Sequence, residues 1–287
     1  MSLIEKALGK ARGGASTQRP VASLPQRPVL NSNTQRLPAL PQLELTPEIQ
    51  TRLGLSAPPE QQHQRSSEYR HIKRRVLSNL GGARNRIVLV ASALAGEGKS
   101  FTSANLARSL AMEPDHTVLL IDADVVKPAL SHAMGIQEKP GLMNAVIDPS
   151  LDPESLVLTT NIEGLSVMPA GGANANATEY FASDRMKQVL DTLLAVPNRI
   201  IVTDSLPLLL TTEARVLAPL AGQVLLVVRA ESTPQSAVTS AMELLGEEAI
   251  AGVVLNAVVR TRMSRYLGYG YGFDYEYSWD QAEVGAK

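Results

Sequence analysis

The feature that most constrains the fold is a glycine-rich turn, GEGKS at residues 96–100, which separates two apolar segments of different periodicity. Four consecutive aliphatic residues at 87–90 are typical of a buried strand, and residues 103–110 have helical spacing. A strand, a glycine turn and a helix in this order direct several backbone N–H groups and a helix N-terminus into one concave loop. The sequence therefore predicts a phosphate-binding loop.

Two side chains of this loop have chemistry that suits a polyphosphate. Lys99 would reach the β- and γ-phosphates, and the Ser100 hydroxyl would ligate Mg²⁺. Gly96 and Gly98 leave room for the phosphate chain. The full motif has a glycine where this chain has Ala93, so a plain glycine turn between a strand and a helix is the structural alternative.

Three aspartates follow two further apolar strands. Residues 117–121 predict a buried strand that leads into Asp122 and Asp124, and residues 199–203 predict another that leads into Asp204. Ligands of open α/β sheets bind at the carboxyl ends of parallel strands, so we expect these carboxylates beside the phosphate loop. There they would hold Mg²⁺ or accept a proton, although each could instead cap a turn.

The remaining apolar segments alternate between strand and helix patterns. Strands are predicted at 165–169, 223–228 and 252–256, and helices at 66–80, 179–194 and 235–245. This alternation predicts an α/β fold of the P-loop NTPase type, with a doubly wound, mainly parallel sheet and helices on both faces.

Composition divides the chain into four parts. Residues 1–12 predict a short amphipathic helix, and residues 13–65 a disordered tether rich in Pro and Gln, because eight of the 18 prolines lie between positions 20 and 59. Residues 46–55 could form one or two helical turns within that tether. The domain that contains the phosphate loop is expected at 66–262, followed by a flexible tail at 263–287.

The tail contains an unusual share of the aromatic residues. Seven of the chain's 11 aromatic side chains lie within residues 266–279, separated by Gly, Asp and Glu. Such a cluster is usually core or interface, but its glycines oppose a packed helix or a central strand. We expect it to be exposed and to supply substrate tyrosines. These are Tyr266, Tyr269, Tyr271, Tyr275 and Tyr277.

The bulk composition excludes some classes. The chain has no cysteine, which excludes a disulfide scaffold and a cysteine metal site, and a net charge of −1. No window reaches the roughly 18 apolar residues of a membrane span, and no signal peptide is recognisable. We expect a cytoplasmic protein with no nucleic-acid partner.

The motifs together resemble the bacterial tyrosine kinases (BY-kinases), in particular the cytoplasmic, exosortase-associated or chain-length-determinant tyrosine autokinases of exopolysaccharide biosynthesis. GEGKS, VLLIDADVVKP, IIVTDS and the C-terminal tyrosines carry this resemblance. MSLIEKAL, EYRHIKR and NATEYFASDRM are similar to that branch too. Positioning ATPases of the ParA/MinD type share the fold, but they have a signature lysine where this chain has Leu94.

The resemblance implies ATP and Mg²⁺ as ligands and assigns roles to single residues. Lys99 is implied to be catalytic. One of the pair Asp122 and Asp124, without a choice between them, is implied to accept the proton. The residues implied to bind ATP are Ala95, Gly96, Glu97, Gly98, Lys99, Ser100, Phe101 and Asn256. Those implied to hold the metal are Ser100, Asp122 and Asp204.

The sequence departs from the family pattern in three motifs. The ring-assembly motif Glu-x-x-Arg-x-x-Arg aligns Arg70 with its first arginine, which leaves Ser67 at the glutamate and Lys73 at the second arginine. Glu68 would substitute for the missing glutamate, so Glu68, Arg70 and Lys73 are the predicted oligomer contacts. Val126 replaces a basic residue, and Leu206 replaces a proline.

The function that follows is ATP-dependent autophosphorylation of the tail tyrosines in trans within a homo-oligomer, which would regulate exopolysaccharide chain length or export. A separate membrane protein of the polysaccharide co-polymerase type would hold the chain at the inner membrane. The alternatives are a non-kinase, ParA/MinD-like ATPase switch for assembly or positioning, and a scaffold that turns over no ATP.

Overall fold

An eight-stranded sheet forms the centre of the molecule. The computed structural model describes residues 42–245 and 250–258, so the predicted N-terminal helix and tyrosine tail lie outside the described residues. The strands are β1 (Gln42–Leu43), β2 (Ile87–Ser92), β3 (Thr117–Asp122), β4 (Leu158–Thr160), β5 (Leu165–Met168), β6 (Arg199–Pro207), β7 (Gln223–Arg229) and β8 (Ile250–Asn256). Their order is β1-β4-β5-β3-β6-β2-β7-β8.

Every neighbouring pair in this sheet is parallel except β4 and β5, which are antiparallel. The helices are α1 (Pro47–Arg52), α2 (Pro59–Ser78), α3 (Lys99–Ala111), α4 (Ala129–Met134), α5 (Leu142–Ile147), α6 (Ala177–Phe181), α7 (Asp184–Leu194), α8 (Thr212–Leu217) and α9 (Gln235–Leu245). The predicted doubly wound, mainly parallel sheet is confirmed.

Helices cover both faces of the sheet and enclose two apolar clusters. Helices α1 to α4 pack on one face, where Leu106 and Leu110 of α3 are completely buried. Helices α5 to α9 pack on the other, where Phe181 and Leu193 are completely buried. Strands covered on both faces read as continuous apolar runs, which explains why β2, β3, β6 and β7 could be recognised in the sequence.

The tether predicted at 13–65 extends too far, because residues 42–65 are folded. From residue 42 onward the structure contains β1, α1 and the start of α2, and Leu45, Leu53 and Leu55 are buried in the core. Leu45 N donates a hydrogen bond to Asn161 Oδ1 at 2.9 Å. The proline-rich composition suggested disorder, but three leucines bury enough apolar surface to hold this segment against the domain.

Other differences concern the lengths of elements. The helix predicted at 179–194 is interrupted, because the Ser183 hydroxyl caps α7 by accepting a hydrogen bond from Met186 N at 3.3 Å. Strand β6 continues past Asp204 to Pro207 with all nine residues buried. Short elements such as α4 and α5 escaped prediction because six residues carry too little periodicity.

None of the helices in the described ranges has the length and apolar character that crossing a membrane requires.

The role of the segment before α2 can be tested by shortening Leu45. Its side chain is 1% exposed, so Leu45→Ala should leave a cavity and lower the free energy of unfolding by about 2–5 kcal/mol. Urea denaturation followed by circular dichroism measures this. The neighbouring exposed residue provides the control Glu44→Ala, which should change stability by less than about 0.5 kcal/mol. Equal stability of both variants would show that the segment is not part of the core.

Candidate nucleotide-binding and phosphoryl-transfer site

The glycine-rich turn forms a compact loop between β2 and α3. Gly96 and Gly98 have φ angles of 78° and 92°, a left-handed conformation that favours glycine, and Gly98 is the residue that precedes α3. A Cβ atom on Gly98 would lie 2.0 Å from Asn256 Nδ2. Glycine at this position lets the backbone lie close to the end of β8. It also places no side chain over the N–H groups that would bind a phosphate.

The loop is held in place by three side chains from outside it, those of Arg229, Thr233 and Asn256, and by its own Glu97. Glu97 is 3% exposed, and its Oε2 accepts a hydrogen bond from Leu94 N at 2.8 Å. Its Oε1 accepts a second one from the Thr233 hydroxyl. Asn256 Nδ2 donates to the Glu97 carbonyl oxygen at 2.9 Å, and Arg229 Nη1 donates to that of Gly96 at 3.2 Å. The loop is therefore fixed to the carboxyl ends of β7 and β8.

Asp204 lies beside the loop on the neighbouring strand. It is completely buried and stands in register with Val90 of β2 and Asp122 of β3. Its Oδ1 accepts a hydrogen bond from the Ser103 hydroxyl at 3.1 Å, and its Oδ2 has no partner among the described residues. Burial raises the pKa of Asp204 to about 7, and the charge of Asp122 adds to the rise, whereas the Ser100 hydroxyl and the charge of Lys99 oppose it.

Asp122 is held more firmly than the other carboxylates. Its Oδ2 accepts hydrogen bonds from the backbone N–H and the hydroxyl of Ser131 at 2.8 and 2.7 Å, and its Oδ1 accepts one from Asp124 N at 3.2 Å. Burial raises the pKa of Asp122 to about 6 despite these bonds. The Ser131 hydroxyl also accepts a bond from Ala170 N, so Asp122 is tied to the loop after β5.

Asp124 is the more accessible member of the pair. Its side chain is partly exposed, and its Oδ1 accepts a hydrogen bond from Lys127 N at 2.8 Å. Burial raises the pKa of Asp124, while the positive charge of Lys99 lowers it. The charge of Lys99, the first residue of α3, therefore acts on both Asp124 and Asp204.

This donor set fits a magnesium nucleotide. Mg²⁺ is usually bound by one or two carboxylates, a hydroxyl, substrate phosphates and water. Asp122, Asp204 and Ser100 supply such oxygens, and the unpartnered Asp204 Oδ2 is a buried oxygen that a cation can satisfy. No group of three or more His, Cys, Asp or Glu side chains in residues 42–245 and 250–258 could hold a metal by itself, so phosphate and water oxygens would complete the shell.

The structure separates two predicted residues from the roles assigned to them. The Phe101 ring points away from the phosphate loop, packing against Gly54 and under the Arg65 guanidinium at 5.1 Å, so only its backbone can serve a nucleotide. Lys73, predicted as an oligomer contact, is buried and forms a salt bridge with Glu113 of its own chain at 2.6 Å. Lys73 therefore contributes to packing within the subunit.

The other predicted oligomer contacts, Glu68 and Arg70, are exposed on α2. The five tail tyrosines lie outside the described residues. Sequence reasoning missed Thr233, Arg229, Ser103 and Ser131, which touch the loop or the aspartates. Arg229 ends β7 and Thr233 follows it, while Ser103 and Ser131 lie near the start of helices that follow strands, and these positions were the available signal.

Comparison with known proteins agrees with this geometry. Residues 88–268 match the CobQ/CobB/MinD/ParA nucleotide binding domain. The tyrosine-protein kinase YwqD of Bacillus subtilis (strain 168) is 30% identical over 207 residues, which are 71% of this chain and 86% of YwqD. The succinoglycan biosynthesis transport protein ExoP of Rhizobium meliloti (strain 1021) is 32% identical over 192 residues, which are 65% of this chain and only 24% of ExoP.

A solved structure shares the fold. The crystal structure of the chimerical protein CapA2B2 superimposes with a TM-score of 0.63 and 25% identity, covering 78% of this chain and 96% of the chimera.

The attachment of the loop to β7 can be tested by Thr233→Val, which removes the hydroxyl that Glu97 accepts from but keeps the side-chain volume. A hydrogen bond to a charged group contributes about 1.5–3 kcal/mol, so we expect Mg·ATP binding, measured by calorimetry, to weaken by roughly tenfold. Thr239→Val changes an exposed threonine of α9 and should leave binding unaltered. Unchanged affinity in Thr233→Val would show that the loop holds its shape without β7.

The raised pKa values predict how stability depends on pH. Asp204 and Asp122 bind protons more tightly in the folded chain, so they stabilise the fold fully at low pH, and this contribution is lost as pH rises through about 6 to 7. In metal-free buffer, Asp204→Asn should therefore be more stable than wild type at pH 8, by at least about 1.4 kcal/mol, with a smaller difference at pH 5.

Thermal and urea unfolding at the two pH values measure this difference. Asp191→Asn, at an exposed position on α7, should follow the wild-type pH profile. A wild type and an Asp204→Asn variant with parallel pH profiles would contradict the assigned pKa of Asp204.

Proposed function

The chain belongs to the bacterial tyrosine kinases and contains a CobQ/CobB/MinD/ParA nucleotide-binding domain, and from this we propose that it transfers the γ-phosphoryl group of ATP to the tail tyrosines of a second copy. The protein-tyrosine kinase class expected from the sequence is that of this family. One observation carries the proposal: Asp122 and Asp204 stand in register on neighbouring strands, and Asp204 accepts a hydrogen bond from Ser103 of α3, the helix that begins where the glycine-rich loop ends.

Binding and alignment are the tasks of the loop. The backbone N–H groups of residues 95–101 and the positive end of α3 would bind the phosphates, and Lys99 would neutralise charge on the β- and γ-phosphates. Mg²⁺, held by Ser100, Asp122 and Asp204, would add further neutralisation of the phosphate charge. A loose transition state requires little beyond alignment and charge neutralisation.

The proton of the incoming tyrosine hydroxyl would pass to one of the pair Asp122 and Asp124. Asp122 is fixed by three hydrogen bonds and is 2% exposed, whereas Asp124 is partly exposed and accepts one bond from Lys127 N. An incoming tyrosine can reach Asp124 without displacing a neighbour, and reaches Asp122 only after the site rearranges. Catalytic contacts often tighten only when substrate binds, so both remain candidates for the base.

The acceptor tyrosines would come from another subunit. A tail of about 20 residues spans roughly 60 Å when extended, which is enough to reach the site of a neighbouring copy. Each phosphate adds about −1.5 to −2 charges, so five modified tyrosines would add roughly −7 to −10. Repulsion of this size would disperse an assembly, so association, phosphorylation in trans and separation would form a cycle.

Exopolysaccharide production is the process that we propose this cycle controls. ExoP, a relative, is named a succinoglycan biosynthesis transport protein, and this chain spans about a quarter of its length. We propose that the chain acts at the inner membrane through a separate membrane protein of the polysaccharide co-polymerase type, as its resemblance to the cytoplasmic autokinases implies.

The central test removes the lysine of the phosphate loop. Lys99→Met should abolish incorporation of phosphate from labelled ATP into the tail, because the charge that neutralises the β- and γ-phosphates is lost. Mass spectrometry of the full chain after incubation with Mg·ATP locates and counts the phosphates. Lys139→Met, at an exposed position away from the loop, should be labelled like wild type. Undiminished labelling of Lys99→Met would refute the proposed chemistry.

A companion variant separates the kinase from a ParA/MinD-like switch, whose fold is the same. Changing Tyr266, Tyr269, Tyr271, Tyr275 and Tyr277 to Phe should remove phosphate incorporation while Mg·ATP still binds. A switch without kinase activity would retain its nucleotide-dependent assembly in this variant and would show no labelling in the wild type.

A further inference from the structure

A basic groove runs between α2 and α3 on the side of the molecule where α2 covers the sheet. Its volume is about 290 Å³, and its lining includes Arg65, Tyr69, Arg70, Lys73, Arg108 and Met112. None of the residues that line it within the described part of the chain is acidic. The groove is separate from the carboxylates and the loop that form the nucleotide site, and nothing in the proposed phosphoryl transfer uses it.

The positive charge of this groove is only partly cancelled. Lys73 is paired with Glu113 at 2.6 Å. Arg65 donates a hydrogen bond to the carbonyl oxygen of Gly54, and Arg108 donates one to that of Leu55. A carbonyl oxygen has no net charge, so these bonds do not neutralise the charge of either arginine. These contacts fix the two guanidinium groups in position, and each guanidinium has five N–H donors, so donors remain for a ligand.

Arg70 contributes the third arginine from the exposed surface of α2. Its Nε donates to the Ser66 carbonyl oxygen at 3.3 Å, which again leaves its charge in place. Met112 lies at the other edge of the groove with 74% of its surface exposed. A ligand that fits this surface has several negative charges for the arginines and a flat apolar part for the methionine.

Phosphotyrosine has both properties, and this chain has a segment in which it would be concentrated. Residues 266–279 contain five tyrosines, Asp274 and Glu276, and no Lys or Arg. Arginine clusters pair phosphate oxygens in bidentate fashion, and they recognise phosphorylated peptides in this way.

The position of the groove suits a tail that leaves from β8. The described chain ends at Val258, two residues after β8, and α2 packs on that strand, since Arg75 Nε donates to the Ala251 carbonyl oxygen at 3.1 Å. Seven residues separate Val258 from Tyr266, and they can span about 25 Å when extended. Ala251 lies seven residues before Val258, which is about 23 Å along an extended strand, so a linker of this length can return to the level at which α2 contacts β8.

We propose that the groove between α2 and α3 binds residues 266–279 of this protein after their tyrosines have been phosphorylated. This inference rests on the proposed function, because the kinase supplies the phosphates. A bound segment would cover Arg70, one of the residues predicted to contact another subunit. Phosphorylation would then weaken assembly by occupying a contact surface, in addition to the charge repulsion between tails.

A peptide-binding experiment tests the groove without requiring kinase activity. The probe is a synthetic, fluorescent peptide of residues 266–279 with phosphate on all five tyrosines, compared with the same peptide without phosphate. The protein is the full chain with its own five tail tyrosines changed to Phe, so that no endogenous tail competes. We expect the phosphorylated peptide to bind at least about tenfold more tightly in fluorescence polarisation, and to weaken with added salt.

Two substitutions in the groove locate the binding. Arg70→Glu should weaken phosphopeptide binding by about tenfold or more, whereas the control Arg74→Glu, at an exposed arginine of the same helix that does not line the groove, should have little effect. Met112→Ala leaves the charge unchanged but removes the apolar surface proposed for the tyrosine ring, so it should weaken binding several-fold. Thermal melting and light scattering of each variant verify its fold and its mass.

Some results would overturn the proposal. Equal affinity for both peptides would show that phosphate is not recognised, and equal losses in Arg70→Glu and Arg74→Glu would show unspecific attraction between a polyanion and a basic helix. Because the peptide is phosphorylated chemically, these results leave the kinase proposal untouched. A wild type without tail labelling would refute the kinase activity even if the peptide bound.

Discussion

The arrangement of the candidate nucleotide site depends on one buried carboxylate, which lowers the stability of the fold when it is ionised. Asp204 is fully enclosed, and its Oδ2 has no hydrogen-bond partner within the described ranges. An ionised carboxylate in such surroundings costs several kcal/mol, which is why the pKa of Asp204 rises to about 7. The apolar residues of β6, which is buried along its whole length between β3 and β2, stabilise the fold and offset this cost. A cation held at Asp204 would offset this cost, and its binding would then raise the stability of the fold.

The phosphate loop obtains its shape from residues far away in sequence. Glu97 is buried and joins the loop to Thr233 after β7, while Asn256 at the end of β8 bonds to the Glu97 carbonyl oxygen. A short glycine-rich turn has many accessible conformations, and ordering it costs conformational entropy. Anchoring it to two strand ends restricts those conformations before a nucleotide arrives, which is how a preorganised site gains affinity.

Helix α2 combines packing with a charged outer surface. Lys73 and Val76 are buried against the domain, and the Lys73 ammonium is paired with Glu113 at the end of α3. The family pattern implied that Lys73 contacts another subunit, but Lys73 lies on the buried side of α2. Arg70 lies on the exposed side of the same helix. Leu206, which replaces a proline of the family pattern, is 1% exposed within β6, while Val126 is exposed beside Asp124. These substitutions leave the arrangement of the three aspartates intact.

The sequence by itself predicted the central strands, the glycine-rich loop and the three aspartates, because runs of apolar residues, glycine spacing and acidic residues that follow apolar runs are local patterns. It also indicated the kinase family through those motifs. Only the tertiary structure decided that residues 42–65 belong to the domain, that Lys73 pairs within its own subunit, and that Glu97 meets Thr233. These outcomes depend on contacts between residues tens to more than a hundred positions apart. Periodicity and composition are local properties of the sequence, and they do not indicate which distant side chains come into contact.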